Sequence, residues 1–138
     1  TDVIQMLNGC IGGLVAITAE PLMPSPIAAI LIGAVGGVIV VYGTKLLFSL
    51  KIDDVVGAIP AHLFAGIWGT LAVPITNPDT NFGAQLLGVV SINVFVFIVS
   101  LIVWAIMKNT IGIRLSKEGE LKGTDVTETG VIAYAIRD

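Results

Sequence analysis

His62 is the side chain of this sequence with the clearest capacity for chemistry, and it is the only histidine in the chain. It lies within the segment 55–75, which contains no Asp, Glu, Lys or Arg. A neutral imidazole accepts a hydrogen bond at one ring nitrogen and donates one from the other, which suits the passage of a small hydrogen-bonding solute. Because no cysteine or carboxylate shares the segment, the pattern indicates neither a Ser/His/Asp triad nor a metal site.

Two interpretations of His62 remain open from its position alone. In the first, a neutral imidazole donates to a carbonyl of a neighbouring helix and serves packing only. In the second, it lines a cavity or pathway, as ionisable residues within membrane helices usually do. Pro60 loosens the first turns of the helix, and small residues on the same face leave room beside the ring. Those small residues are Ala58, Ala65, Gly66 and Gly69.

The composition indicates that lipid surrounds these elements. Apolar residues make up 55% of the 138 residues and charged residues 12%, against roughly 45–50% and 25% in ordinary globular chains. A soluble domain this apolar could not cover its surface with polar groups, so we expect a lipid bilayer as its solvent. The single cysteine, Cys10, excludes an internal disulfide, and the absence of a basic stripe argues against nucleic acid as a partner.

Four charge-poor segments are candidates for membrane helices: about 3–19, 22–48, 55–75 and 80–111. A membrane helix needs about 17–25 apolar residues, and the long last segment is expected to tilt. Turns rich in Pro, Asn or Asp separate the segments. The sequence therefore predicts an all-α, polytopic membrane helix bundle with four transmembrane helices. We expect a membrane domain over 1–111 and a C-terminal tail over 112–138.

The basic residues predict the orientation of this bundle. Lys45 and Lys51 flank the connection between the second and third segments, and the other five basic residues follow the fourth segment. Those five are Lys108, Arg114, Lys117, Lys122 and Arg137. In a four-helix bundle both groups fall on one side, which the positive-inside rule makes cytoplasmic. We therefore expect a plasma (inner) membrane protein with a cytoplasmic C-terminus.

Small residues at helical spacing predict how the helices pack. Gly9 and Gly13 form one small-xxx-small pair, and Gly33 and Gly37 form another. Such pairs let helix backbones approach closely in lipid, where leucine and isoleucine provide no driving force for association. Before the third segment, Asp53 or Asp54 is placed to cap the helix that carries His62.

Three stretches of the sequence resemble ammonium transporters of the Amt/Mep/Rh family. Residues 7–19, LNGCIGGLVAITA, resemble the family segment NGxxxGLVAITA. Residues 53–62, DDVVGAIPAH, and 65–71, AGIWGTL, resemble DDxxGAxxxH followed by GIWGTL. Residues 112–115, GIRL, and 123–126, GTDV, resemble the cytoplasmic GLRV and GLDV. The stretches occur in the family's order and extend over essentially the whole chain.

This resemblance implies a fold and a set of pathway residues. The four segments would be the eighth to eleventh of an eleven-helix transporter that assembles as a homotrimer with one conduction path per subunit. His62 would be the second histidine of a pore pair that accepts the substrate after its deprotonation and relays the proton separately. Asn8 matches a polar position of the outer recruitment region, and Ala58, one turn before His62, would be a pore-lining neighbour.

The resemblance also gives the tail two functions to weigh. Taken alone, the charged run 116–122 predicts a solvated turn. The resemblance implies that Arg114, Gly123 and Asp125 support packing beneath the neighbouring subunit or contact with a PII-type signalling protein. Thr129 and Val131 stand where the family often has His and Glu, which weakens the case for regulation.

The expected function is part of an ammonium/ammonia transporter channel that recruits and deprotonates ammonium, with no enzymatic activity and no cofactor. The family's first half, which holds the other pore histidine, is missing from these residues, so we expect the chain alone to be inactive. Two alternatives stay open at this point. They are the ammonium-sensing membrane domain of a signalling receptor and a structural membrane subunit in which His62 only packs.

Overall fold

The computed structural model describes residues 3–20, 22 and 24–132, and these form helices and turns with no strand among them. The elements are α1 (Val3–Ile17), α2 (Pro26–Ser49), a π-helical segment (Ile59–Phe64) continued by α3 (Ala65–Thr76), α4 (Phe82–Thr110), the short α5 (Lys117–Lys122) and a π-helical turn (Asp125–Thr129). The predicted all-α class is confirmed. The chain divides into two compact units, Thr1–Asn93 and Val94–Asp138, which are described separately. The predicted domain boundary after residue 111 stays a prediction.

Helices α1 and α2 touch through their glycines. A Cβ atom added to Gly13 would lie 3.1 Å from the carbonyl oxygen of Gly33, and one added to Gly37 would lie 3.3 Å from that of Gly9. The expected close approach at the small-xxx-small faces is confirmed, and the structure shows that these two faces pack against each other. The closest approach to a backbone atom between these two helices is at Gly36, where a Cβ would lie 2.7 Å from both the Gly12 oxygen and the Ala16 Cβ. Only glycine permits this approach of two backbones.

Helix α3 lies on the platform that α1 and α2 form. A Cβ at Gly69 would collide with the backbone oxygen of Ala16, so α3 meets α1 as closely as α2 does. The indole of Trp68 donates from Nε1 to the backbone oxygen of Ile32 at 3.0 Å, which ties α3 to α2. Half of the buried apolar side chains of this unit are alanines, and the other half are larger: Ala16, Ala61, Ala65, Ala72, Ile32, Val40, Leu47 and Val73. Close packing of small residues is typical of helices in lipid.

The helix that bears His62 opens with a widened turn. Residues Ile59–Phe64 are π-helical, and Pro60 is among the fully buried side chains. Proline supplies no N–H and its ring crowds the preceding turn, so the expected loosening at this point is confirmed. A Cβ at Gly43 of α2 would lie 3.1 Å from the Pro60 Cβ. Pro60 therefore seats the widened turn against α2.

At the far end of α3, a polar contact joins two connections. The side-chain amide of Asn77 donates from Nδ2 to Oε2 of Glu20 at 2.9 Å. The Asn77 Oδ1 also accepts from the backbone N–H of Asp79 at 3.0 Å. This contact gives the half-buried carboxylate of Glu20 a hydrogen-bond partner, and it ties the connection after α1 to the connection after α3.

Among the residues that the structure describes, three helical stretches are long and apolar enough to cross a membrane: Pro26–Ser49, Ile59–Thr76 and Phe82–Thr110. Helix α1 has 15 residues and is about 22 Å long at ~1.5 Å per residue, less than the ~30 Å hydrocarbon core. The expected first span over about 3–19 stays a prediction, and the helix observed within it ends at Ile17. The helix ends early because the Thr18 hydroxyl and N–H both donate to the Val15 oxygen, which turns the chain.

Helix α4 has no buried residue within the described structure. Its large side chains are strongly exposed, for example Phe97 at 70% and Leu87 at 69%. Exposed apolar surface of this extent is unstable in water and ordinary in lipid. The fold and composition together make the chain an integral membrane protein.

We predict that Gly36→Ala lowers the free energy of unfolding by about 1–3 kcal/mol, because the added methyl overpacks the contact with Gly12 and Ala16. Gly9→Ala is the matched control, since a Cβ there meets nothing within 4 Å, and it should be neutral or stabilising by up to ~1 kcal/mol. Reversible unfolding in detergent micelles measures both. Equal stability of the two variants would contradict the glycine contact.

Candidate functional site

His62 lines an open cleft of about 330 Å³ within the first unit. The first wall comes from the widened turn and α3, and the second wall is the beginning of α4. The lining residues are His62, Leu63, Gly66, Ile67, Thr70, Gln85, Gly88, Val89, Ile92 and Asn93. His62 is exposed, as the hypothesis of a cavity-facing imidazole requires, and it is the one titratable side chain of the lining.

The small residues predicted beside His62 have two different environments in the structure: some contact α1, and one lines the cleft. Ala65 is fully buried, and Gly69 meets the Ala16 backbone, so these two positions serve the contact with α1. Gly66 instead lines the cleft beside His62. The small residues therefore provide both close helix packing and room next to the imidazole.

Polar groups face the cleft without partners in the described part of the chain. No hydrogen bond is formed there by the side chains of His62, Thr70 or Gln85. Asn93 donates from Nδ2 to the Val89 oxygen at 2.7 Å within its own helix. The cleft thus combines an apolar lining with a few open polar groups, which is the usual make-up of a small-molecule site.

Asp54 caps the widened turn that presents His62. Its Oδ1 accepts from the Ala58 N–H and its Oδ2 from the Ile59 N–H, each at 2.9 Å. The prediction that one of the two aspartates caps this helix is confirmed for Asp54. Because the first N–H groups of a helix lack partners inside it, this carboxylate fixes where the turn begins and hence which way His62 projects.

Asn8 acts as an anchor for the connection that precedes His62. Its Nδ2 donates to the Val56 oxygen at 2.8 Å. The next residue, Gly57, has φ +73° and lies so close that a Cβ would collide with the Asn8 amide. Both constraints require glycine at 57. The hydrogen bond places Asn8 at the same end of the helix bundle as Lys51. The two expectations, that Asn8 lies on the outer side of the membrane and that the lysines are cytoplasmic, therefore cannot both hold.

Ala58 is exposed at the start of the widened turn and does not belong to the cleft lining. Its backbone N–H donates a hydrogen bond to the carboxylate of Asp54. A pore-lining function for Ala58 stays a prediction that depends on what covers this end of the turn.

A second hollow of about 240 Å³ lies on the other side of Pro60, beneath the connection 50–57. Its lining includes Lys51, Asp53 and Asp54. Both carboxylate oxygens of Asp54 already accept hydrogen bonds from the turn that it caps. His62 is not among the residues that line this hollow. The larger cleft is therefore the candidate site.

The second unit carries the three predicted tail residues in one folded turn. Ser116 caps α5 by accepting from the Gly119 N–H at 3.1 Å. Gly123 ends α5 with φ +104°, and its N–H donates to the Gly119 oxygen at 3.0 Å. Asp125 opens the π-helical turn, and its backbone oxygen accepts from the Thr129 hydroxyl at 2.6 Å. Arg137, counted above among the basic residues, lies outside the described residues.

Arg114 forms a two-point ion pair with Glu120. Its Nε donates to Oε1 at 2.6 Å and its Nη2 to Oε2 at 3.2 Å. This hydrogen bonding, with the guanidinium charge, lowers the pKa of Glu120 below its ordinary value of 4.5. It likewise raises the pKa of Arg114. Both side chains are largely solvent-exposed, so the pair orders the turn more than it stabilises the fold.

Comparison with known proteins decides the family. A profile of the Ammonium Transporter Family matches residues 1–134. The chain belongs to this family. It is 38% identical to the ammonium transporter Amt2 of Archaeoglobus fulgidus, with 96% of this chain and 33% of that protein covered. It is 36% identical to the ammonium transporter Amt1 of Haloferax mediterranei, with 96% and 27% covered.

A third relative, the ammonium transporter of Bacillus subtilis, is 33% identical, with 93% of this chain and 36% of that protein covered. The chain thus spans about a third of the length of these relatives. The relatives are named as transporters, which are not enzymes. Within residues 3–20, 22 and 24–132, no cluster of three or more His, Cys, Asp or Glu side chains could hold a metal ion.

Sequence reasoning missed the cleft residues other than His62. Thr70 lies eight residues after His62, and Asn93 lies eight after Gln85. Residues four or eight apart share one helix face, so this spacing was a usable signal. It shows that each pair shares a face, and only the tertiary structure shows that both faces border one open cleft.

We predict that Asp54→Ala destabilises the protein by about 0.5–2 kcal/mol through loss of the helix cap. Asp53→Ala is the matched control, because among the described residues Asp53 forms no hydrogen bond or ion pair. Thermal unfolding in detergent distinguishes the two variants. An equal shift in midpoint for both would contradict the assigned cap.

We predict that Arg114→Gln raises the pKa of Glu120 toward 4.5. Since the folded-state pKa is depressed, the ion pair orders the turn above the ordinary pKa and is lost as the pH falls through the lowered one. A carbon-13 NMR titration of the Glu120 carboxyl group measures this. Lys108→Gln should leave the titration unchanged, and an unchanged titration in Arg114→Gln would contradict the ion pair.

Proposed function

We propose that this chain contributes one pore histidine, His62, and the cytoplasmic tail to an ammonium/ammonia transporter. The observation that carries the proposal is that His62 alone, among the residues lining the cleft, can exchange a proton. Membership of the ammonium transporter family and the printed names of its relatives support the substrate.

The proposed mechanism separates the proton from the nitrogen. A cation is costly in an apolar pathway, whereas a small neutral solute passes more readily. Ammonium recruited at the mouth loses one proton, and the resulting ammonia crosses the apolar section. His62 accepts a hydrogen bond or a proton at one ring nitrogen and donates from the other. The proton moves separately along the histidine pair, so ammonia and proton together balance the ammonium that entered.

The proposed site is only half of a pathway. His62 is exposed on a cleft that one side of the bundle leaves open, so a second group of helices is needed to enclose the solute. We propose that the four helices correspond to the eighth to eleventh of an eleven-helix subunit, that a first half supplies the facing histidine, and that three subunits assemble. With Lys45 and Lys51 cytoplasmic, the tail is cytoplasmic too, and it packs beneath a neighbouring subunit or meets a PII-type regulator.

We expect His62→Ala in the complete transporter to reduce ammonium-driven flux by on the order of 10²-fold, the usual effect of removing a proton-transfer group. Trimer formation should be unchanged. The measurement is flux into liposomes that contain a pH-sensitive dye, with Leu63→Ala, the apolar neighbour in the same cleft, as the matched control.

Wild-type flux in His62→Ala would contradict the proposal. Loss of assembly with flux retained per assembled trimer would instead identify a structural membrane subunit. Ammonium binding without flux in the wild type would favour the sensing domain of a receptor. Ammonium-driven flux through the 138-residue chain alone in liposomes would contradict the requirement for a second half.

A further inference from the structure

We propose that Asn8 is a positioning residue for His62. It holds the peptide bond from which the His62 turn starts, so that α1 sets the direction in which the imidazole points. This inference rests on the proposed function, because the direction of the ring matters for transport only if His62 serves the pathway. It goes beyond that function because it assigns Asn8 to the conduction step and not to the recruitment of ammonium.

The Asn8 amide holds one peptide bond of the connection that precedes the turn. Its Nδ2 donates to the Val56 oxygen at 2.8 Å. The next residue, Gly57, has φ +73° and packs so closely on the same amide that a Cβ would collide with it. The hydrogen bond and the close contact together fix the position of the peptide bond between Val56 and Gly57. Since Asn8 belongs to α1, that peptide bond is tied to the α1–α2 pair.

A backbone hydrogen bond carries this constraint to the residue before His62. The Gly57 oxygen accepts from the Ala61 N–H at 3.2 Å. Ala61 is buried, and His62 is the next residue in the chain. A rotation of the backbone at Gly57 would therefore move a buried alanine and turn the imidazole with it.

The turn offers few other hydrogen bonds that could replace this one. Pro60 has no N–H to donate. The two N–H groups before it donate to the side chain of Asp54, each at 2.9 Å. Asp54 lies in the same connection, so this cap moves with the chain segment that Asn8 holds. The Ala61 N–H is thus the first in the helix to reach a backbone oxygen, and the position of that oxygen depends on the Asn8 contact.

The position of Asn8 along the bundle separates its function from recruitment. Asn8 lies at the end of the bundle where Lys51 lies, whereas Glu20 and Asn77 meet at the other end. In the proposed orientation Lys51 is cytoplasmic, so ammonium enters at the end away from Asn8. Loss of the Asn8 amide should then slow the step at His62 and leave the apparent affinity for ammonium unchanged.

Gln5 provides the matched control. It also lies on α1, and its side-chain amide likewise donates to a backbone oxygen of another element, that of Val41 in α2, at 3.5 Å. This bond ties α1 to α2 and not to the turn that carries His62. Gln5→Ala and Asn8→Ala therefore remove the same kind of group from the same helix and differ in what that group holds.

The test measures ammonium flux into liposomes that contain the complete transporter, normalised to the amount of assembled protein. We expect Asn8→Ala to lower the maximal flux by about three- to ten-fold, the effect of one lost hydrogen bond, with the KM for ammonium unchanged. Gln5→Ala should keep wild-type flux. In a His62→Ala background, adding Asn8→Ala should have no further effect, because a residue that acts through another is not additive with it.

Three results would overturn the inference. A raised KM with unchanged maximal flux in Asn8→Ala would make Asn8 a recruitment residue. An equal fall in Asn8→Ala and Gln5→Ala would show a general packing effect. An additional fall on adding Asn8→Ala to His62→Ala would show that Asn8 acts independently of His62.

A second measurement does not depend on flux, so the inference and the proposed function fail separately. Hydrogen exchange of the backbone amides, followed by mass spectrometry on the transporter in nanodiscs, reports on the Ala61 N–H. We expect the peptide that contains Ala61 to exchange about three- to ten-fold faster in Asn8→Ala than in the wild type or Gln5→Ala. Unchanged exchange in Asn8→Ala would overturn the inference. Faster exchange together with wild-type flux in His62→Ala would contradict the transport function and support the positioning of the turn by Asn8.

Discussion

The backbone contact between Gly12 and Gly36 is the constraint on which the rest of the bundle depends. In lipid, apolar side chains gain nothing by leaving solvent, so helices associate only where their backbones can approach closely. This contact draws α1 and α2 together and brings Ala16 against both Gly36 and Gly69. Ala16 thereby couples the position of α3 to the α1–α2 crossing. A larger residue at any of these glycines would move the helix that carries His62.

The direction of His62 depends on a second set of contacts at the start of its helix. Asp54 fixes where the turn begins, Asn8 holds the backbone just before it, and Pro60 seats it against α2. The π-helical form of the turn then allows Ala61 and Ala65 to be buried while His62 faces the cleft. Widened turns of this kind often occur at functional sites. Here the polar groups that hold the turn, Asp54 and Asn8, lie outside the cleft. The imidazole of His62 is therefore not used to hold the turn in place.

Much of this fold could be predicted because its signals are local. The paired glycines of α1 and α2 have a fixed spacing, and Asp54 directly precedes the turn that it caps. Membrane character follows from composition alone. The end of α1 at Ile17 is harder to predict, because the turn made by the Thr18 hydroxyl lies in an apolar stretch where hydropathy does not register it.

The rest of the site could not be read from the sequence because it depends on distant contacts. The Asn8 amide donates a hydrogen bond to the backbone oxygen of Val56, 48 positions away. The family resemblance implied instead that Asn8 lies on the outer side of the membrane. Gln85 and Asn93 appeared only as polar interruptions in a long apolar helix. Their position on the border of the cleft that His62 lines depends on how α4 is rotated about its axis, which no local pattern of the sequence determines.

The most direct test of this account is a cryo-EM map of the complete transporter in lipid nanodiscs with ammonium present. The account predicts that the Gly12–Gly36 contact is retained and that His62 faces discrete density for water-sized molecules. Lipid density or apolar side chains packed directly against His62 would contradict it.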